Sequence, residues 1–134
     1  MQNRVKNADF AAKIMDADAA AALVPNGALV GFSGFVGAGA PIHLPLAIAK
    51  RAEALHAQGK EYKIGALTGA STDPHFYGDL AKATAVRFRS PFMTDRDMRT
   101  AINTNETEYM DVHLSSLAQQ VEAGIFGDME FEIN

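Results

Sequence analysis

Short apolar runs alternate along this chain with longer stretches whose apolar residues recur at helical spacing, the pattern of buried strands separated by amphipathic helices. Asp16 or Asp18 precedes an alanine run to Val24 that Pro25-Asn26-Gly27 stops, which predicts a short capped helix. Ala28 to Phe32 reads as a first strand. Leu44, Ala47, Ile48, Ala52 and Leu55 then repeat at helical spacing, with Lys50, Arg51, Glu53 and Gln58 mostly elsewhere. A helix ending near Gly59 follows, with Pro45 in its first turn, where a missing N–H does no harm. Tyr62 to Leu67 is a second strand, Phe76 to Ala83 a short helix, and Ala85 to Phe88 a third strand. Thr94 with Asp97 reads as a capping box for a helix whose Met98, Ala101 and Ile102 face inward. Tyr109 to Val112 gives a fourth strand. Ser116 with Gln119 forms a further capping-box pair, opening a helix with Leu117 and Val121 inward that ends at Gly124.

Four strand-helix alternations predict an α/β fold with an open, mainly parallel sheet and helices on both faces. Ligands of such sheets sit beyond the carboxyl ends of the strands. The loops after the first three strands, the glycine-rich one and those at Thr68 to Asp73 and Ser90 to Thr94, are therefore expected to share one edge. Met129, Phe131 and Ile133 alternate with Glu130 and Glu132 as in a half-buried strand, just before the chain stops at Asn134. The expectation is one domain over residues 1–134, cut from a longer two-domain chain.

The first of these loops, Val30-Gly-Phe-Ser-Gly-Phe-Val-Gly-Ala-Gly-Ala-Pro41, carries four glycines between a strand and a helix. Glycine tolerates positive φ and brings peptide N–H groups close to a ligand, and the following helix start adds unpaired N–H groups and a positive dipole end. The stretch therefore suits an oxyanion, a carboxylate or a phosphate, or else serves as a tight turn. Its spacing narrows the choice. Gly34, Gly37 and Gly39 do not fit G-x-G-x-x-G, no Gly-Lys-Ser/Thr follows, and Ser33 runs directly into Gly34 rather than forming G-x-S-x-G. Dinucleotide, Walker-type and serine-hydrolase chemistry are disfavoured. Asp111 and His113 at i, i+2 suggest part of a triad, but without a placed nucleophile a structural hydrogen bond is the better reading.

Composition removes further classes. With 134 residues, 48% hydrophobic and 21% charged, the chain matches one ordinary globular domain. A formal charge of -4 without any basic stripe argues against a nucleic-acid surface. Cysteine is absent, which excludes disulfides, thiolate zinc sites and cysteine nucleophiles and is compatible with a reducing compartment. The four histidines are widely spaced and form no ligand pair at helical spacing, so no metal is expected. The amino terminus lacks the apolar region of a signal peptide and no window approaches membrane-spanning length, so a cytoplasmic protein is expected.

Several separate motifs, in order along nearly the whole chain, carry a resemblance. Gly31-Phe-Ser-Gly-Phe-Val-Gly-Ala-Gly-Ala-Pro41 with Pro45, Leu67-Thr-Gly-Ala-Ser-Thr72, Phe88-Arg-Ser-Pro-Phe92 with Arg99 and Ile102-Asn103, and Asp111-Val-His-Leu114 resemble the N-terminal domain of the acetyl-CoA hydrolase/transferase family. Within that class I CoA-transferase family the likeness runs to the succinyl-CoA:acetate CoA-transferases. The resemblance implies covalent catalysis by a glutamate that attacks an acyl-CoA thioester, passing through an acyl-glutamyl anhydride and a glutamyl-CoA thioester before a carboxylate such as acetate takes the CoA. It implies coenzyme A as a substrate rather than a permanently bound cofactor, and a homodimer as the full-length state. The nucleophilic glutamate and most CoA contacts are expected outside this segment, in the missing second half, so no glutamate here is nominated and the segment alone is expected to be inactive.

On the acceptor side the resemblance carries two residues over. Ser71 and Thr94 match positions that contact the small carboxylate, where a hydroxyl donor suits a carboxylate oxygen. Read from the residues alone, Ser71 closes a turn and Thr94 caps a helix. The loop through Gly34, Phe35, Gly37 and Gly39 would wall the same pocket with backbone N–H groups. Arg89 and Arg99 are candidates for anion-site charge, with a surface or interdomain ion pair the preferred reading for both. Transferase, hydrolase and non-catalytic carboxylate- or CoA-binding domain all remain open from these residues.

Overall fold

The computed structural model describes residues 4–70 and 74–134, and of residues 74–76 only the backbone. After a four-residue helix α1 (Ala8–Ala11), which the apolar pattern did not signal, the chain enters α2 (Ala17–Ala22). Asp16 is its cap, accepting from the Ala19 amide at 2.7 Å, which decides between the two aspartates. There follow β1 (Leu29–Phe32), α3 (His43–His56), β2 (Ile64–Thr68), α4 (Pro74–Lys82), β3 (Val86–Ser90), α5 (Arg96–Asn103), β4 (Glu108–Tyr109), α6 (Leu114–Glu122) and β5 (Met129–Ile133). Pro45 occupies the first turn of α3, and Gly59 leaves that helix at φ +71°.

All five strands are parallel, in the order β4-β3-β2-β1-β5. From β1 to β4 each step moves one place in the same direction, so right-handed crossovers put α3, α4 and α5 on one face. From β4 the chain returns past β1, and α6 crosses the opposite face. The direction therefore reverses between β1 and β5, creating a topological switch point. β1 and β2 are buried along their whole lengths, as the central strands of a doubly covered sheet must be. Val30, Phe32, Ile64 and Ala66 pack with Ile48 and Ala52 of α3, Leu80 of α4 and Met98 of α5 to form the core.

One interaction fastens α2 onto this layer. The Arg51 guanidinium donates from Nη1 to the Ala21 and Val24 carbonyls, both at 2.5 Å, at the carboxyl end of α2 and just beyond it. Its plane lies over Tyr62, 4.8 Å from the ring centroid, and the Tyr62 hydroxyl donates to the Val24 carbonyl at 3.1 Å. Burial holds the Tyr62 phenol above its ordinary pKa, keeping it a neutral donor.

Two register shifts interrupt the ladders. Ile64 pairs with Val86 but Gly65 with Phe88, so Arg87 is an extra residue in β3. Leu29 pairs with Met129 but Val30 with Phe131, so Glu130 is an extra residue in β5. β4 is only two residues long, shorter than the Tyr109 to Val112 strand expected, because the chain after Tyr109 leaves the edge to reach α6. The expected half-buried terminal strand is β5, and its partner is β1.

Two expected capping boxes are corrected. The cap of α5 is Asp95, whose Oδ1 accepts from the Met98 amide at 2.8 Å, and not Thr94. A carboxylate one residue later aligns with the dipole and leaves Thr94 in the preceding loop. At α6 the cap position is His113, and Ser116 lies inside the first turn, its hydroxyl donating back to the His113 carbonyl at 2.9 Å. The α5 assignment separates two adjacent residues. Asp95→Ala should lower stability by about 1 kcal/mol, whereas Thr94→Val should stay within about 0.5 kcal/mol of the parent; paired thermal or urea melts check both, and equal losses would restore Thr94 as the cap.

Candidate functional site

The carboxyl ends of β1, β2 and β3 each run into a loop, and the three loops are fastened to one another. In the glycine-rich loop, Phe35 and Ala38 exchange N–H···O bonds at 2.9 Å, folding residues 35–38 into a tight turn. The fold-back needs positive φ at Gly34 (+125°) and Gly39 (+68°), and also places Val36 at +56°. The Ser33 hydroxyl closes the base by donating to the Gly39 carbonyl at 3.0 Å. The Phe35 and Ala38 amides are thus committed within the turn, while those of Gly34, Gly37 and Gly39 have no partner among the described residues. The Val36 amide reaches out of the turn to the Ala70 carbonyl at 2.9 Å, joining the first loop to the second.

Arg89 joins the second loop to the third. Its Nη2 donates to Thr68 Oγ1 at 2.6 Å, at the end of β2, and to the Phe92 carbonyl at 2.8 Å, in the loop after β3. Nη1 donates to the Ser90 carbonyl. The guanidinium lies over Tyr77 of α4, 4.9 Å from the ring centroid, and the residue is fully buried. Burial pulls its pKa down to about 10, partly offset by Tyr77 and Tyr109, so it stays charged at neutral pH. No carboxylate among the described residues pairs with it. The surface or interdomain ion pair preferred from sequence is therefore overturned for Arg89. The extra residue at Arg87 reverses the facing of the strand, turning Arg89 into the core beside Ala66 while Arg87 stays exposed and donates to the Gly27 carbonyl at 3.1 Å. Strict alternation from Arg87 would leave both arginines outside, which is why the sequence favours an ion pair for Arg89 over a buried place. Arg99 lies exposed on α5.

The third loop is held from its other side as well. The Ser90 hydroxyl donates to the Met110 carbonyl at 2.7 Å and the Tyr109 hydroxyl to the Pro91 carbonyl at 2.5 Å, with a cis Ser90-Pro91 peptide between them. Thr94 is exposed in this loop, with no capping duty. Ser71, the other expected hydroxyl, follows Ala70 directly and lies outside the described residues. Asp111 and His113, expected to share a strand face, fall instead in the connection from β4 to α6, where they line a surface hollow with Phe92 and Leu114.

At the switch point a cleft of about 510 Å³ opens between α6 and the sheet. Leu117 and Val121 of α6 form one wall, and Gly31, Leu67 and Met129 the other, with Ser33 and Gly69 at the loop end. No residue of α6 is fully buried, so that helix covers its face of the sheet loosely. Gly31 permits this arrangement: a Cβ there would meet the Met129 sulfur at 2.8 Å.

Comparison with known proteins gives this edge its setting. The acetyl-CoA hydrolase/transferase N-terminal domain matches residues 1–134. The chain belongs to that family. It is 41% identical over 119 residues to the propanoyl-CoA:succinate CoA transferase of Escherichia coli, covering 89% of this chain and 24% of that protein. It is 35% identical over 132 residues to the succinyl-CoA:acetate CoA-transferase of Clostridium kluyveri, covering 98% and 24%. It is 34% identical over 132 residues to the acetyl-CoA hydrolase of Schizosaccharomyces pombe, covering 94% and 24%. The chain thus spans about a quarter of the length of these curated relatives.

The shape of the glycine-rich loop is testable without any assay of activity. A methyl group at Gly34 would sit 3.1 Å from the Ala40 Cα, in a backbone conformation that disfavours a side chain. Gly34→Ala should therefore cost about 1–3 kcal/mol and expose the loop to proteolysis. Gly37→Ala has no such positive φ and should melt close to the parent. Equal stability and equal protease resistance for Gly34→Ala would show that the turn does not depend on that conformation.

Proposed function

We propose that residues 1–134 are the substrate-pocket domain of an enzyme that moves CoA between an acyl-CoA, succinyl-CoA or acetyl-CoA, and a small carboxylate such as acetate. The observation that carries this reading is the fastening of three strand-following loops into one edge, in a chain of the acetyl-CoA hydrolase/transferase family. Ser71 and Thr94 are the proposed donors to the acceptor carboxylate, each presenting a hydroxyl hydrogen to one of its oxygens. Thr94 is free for this because Asp95 caps α5. The unpartnered amides of Gly34, Gly37 and Gly39 form the adjoining wall, with the Phe35 side chain beside them. Oriented N–H groups of this kind stabilise charge that develops on an oxygen.

In the proposed reaction a glutamate carboxylate, supplied by the full-length protein outside these residues, attacks the thioester carbonyl. The C–S bond breaks, CoA leaves as thiolate, and an acyl-glutamyl anhydride remains. Thiolate then attacks the glutamyl carbonyl, expelling the acyl group as its carboxylate and leaving a glutamyl-CoA thioester. The acceptor carboxylate enters the vacated pocket and the same two steps run backwards to yield the new acyl-CoA. Coenzyme A is thus a substrate rather than a resident cofactor, and a homodimer in the cytoplasm is proposed as the working form.

Hydrolysis is the second reading, favoured by the 34% identity to a protein named acetyl-CoA hydrolase. Both are separated in one experiment on the full gene product. Transfer predicts acetyl-CoA from succinyl-CoA only when acetate is present; hydrolysis predicts free CoA from acetyl-CoA without an acceptor. Ser71→Ala and Thr94→Val should each raise the acetate KM by about 10-fold, the loss of a hydrogen bond to a charged group. Unchanged acetate kinetics in both variants would remove these residues from the pocket.

A further inference from the structure

We infer that Arg89 is a positioning residue that sets the spacing between the second and third loops, holding Thr68 and Phe92 to one guanidinium. The inference rests on reading those loops as the carboxylate pocket. One amino group makes the connection: the two hydrogens of Nη2 go to Thr68 Oγ1 and to the Phe92 carbonyl, acceptors on different strands' exits. Thr68 stands three residues before Ser71, and Phe92 two residues before Thr94. Nη1 pins the guanidinium to its own strand through the Ser90 carbonyl, and the Tyr77 ring fixes the plane in which the fork lies.

The energetics favour this role over simple packing. A buried cation without a described carboxylate partner destabilises a fold relative to an apolar side chain of similar volume. Besides the Tyr77 ring, the acceptors that compensate here lie at the loop exits, and Nε has no hydrogen-bond partner among the described residues. The hydrogen bonds of the guanidinium therefore go to the candidate site, at the rim of the apolar core. Lysine cannot replace it. Its ammonium sits one bond closer to the backbone and lacks the planar fork, so it cannot reach all three acceptors together.

The test uses the full gene product with Arg89→Lys and Thr68→Val, reading amide hydrogen exchange, thermal midpoint and steady-state kinetics. Arg89→Lys should speed exchange about 10-fold, a loss of hydrogen bonds to a charged group, at the Val36 amide bonded to Ala70 and at the Met98 amide bonded to Asp95, with β1 and α3 unchanged. It should raise the acceptor KM about 10-fold with a smaller change in kcat. Thr68→Val keeps the buried cation but removes one acceptor, so the Val36 amide on the second loop should loosen while the Met98 amide on the third stays protected. The inference is overturned by wild-type exchange at both loops in either variant. A wild-type acceptor KM in Arg89→Lys also overturns it, because charge alone would then suffice. Should Arg89→Lys fail to fold, Thr68→Val still decides through its one-sided pattern. A gene product without CoA transfer would sink the functional reading, while the exchange data would still answer for Arg89.

Discussion

A guanidinium in the interior of a sheet protein has to find acceptors where its stem can reach them, and among the described residues Arg89 finds three at the strand exits. Arg89 is fully buried, carries its charge at neutral pH, and directs its amino groups to Thr68, Ser90 and Phe92. Leaving such a group unsatisfied would cost far more than a surface ion pair contributes. The positions of β2, β3 and α4 at this edge are therefore mutually constrained. Val36 extends the constraint to the glycine-rich loop through Ala70. Ser90 and Tyr109 extend it to β4. The hydrogen-bonded edge is thus continuous across four strands.

The two faces of the sheet contrast with this edge. On the α3, α4 and α5 side a dense apolar core surrounds Ile48, Ile64 and Met98. On the α6 side the cover is loose and a cleft remains at the reversal of strand order. A doubly wound sheet concentrates ligand access where its two halves diverge. Here the loosely covered face and the fastened loops meet at Ser33 and Gly69. Hydrogen-bonded loops thus stand beside an open cleft.

Much of this architecture was legible in the sequence, because it follows from short-range physics. Apolar runs gave β1 and β2, Asp16 and Gly59 bounded their helices, and Pro45 fell where its lost N–H is harmless. The misreadings cluster where two local solutions are close in energy. Thr94 and Asp95 both offer a capping oxygen one residue apart, and only the observed φ and ψ separate them. Ser116 with Gln119 matches the capping pattern, yet the cap, His113, lies three residues earlier. Arg89 was hidden by a long-range cause, the extra residue that β3 acquires against β2. Of the candidate site, the convergence of the three loops was legible from strand order, whereas the hydrogen bonds joining them involve Val36, Thr68 and Phe92, whose roles no local pattern marks.

The two extra residues, Arg87 in β3 and Glu130 in β5, both line a hollow at the amino-terminal end of the sheet, on either side of the start of β1. Each divides its strand into halves of opposite parity. The amino-terminal half obeys one alternation and the carboxyl-terminal half the other, so an inward-pointing position before the break and one after it answer to different frames. The core and the loop-bearing edge are in this sense separately addressed within a single strand. Keeping the residue but straightening the strand at either break would leave the upstream pairs intact and turn each downstream side chain to the other side of the sheet.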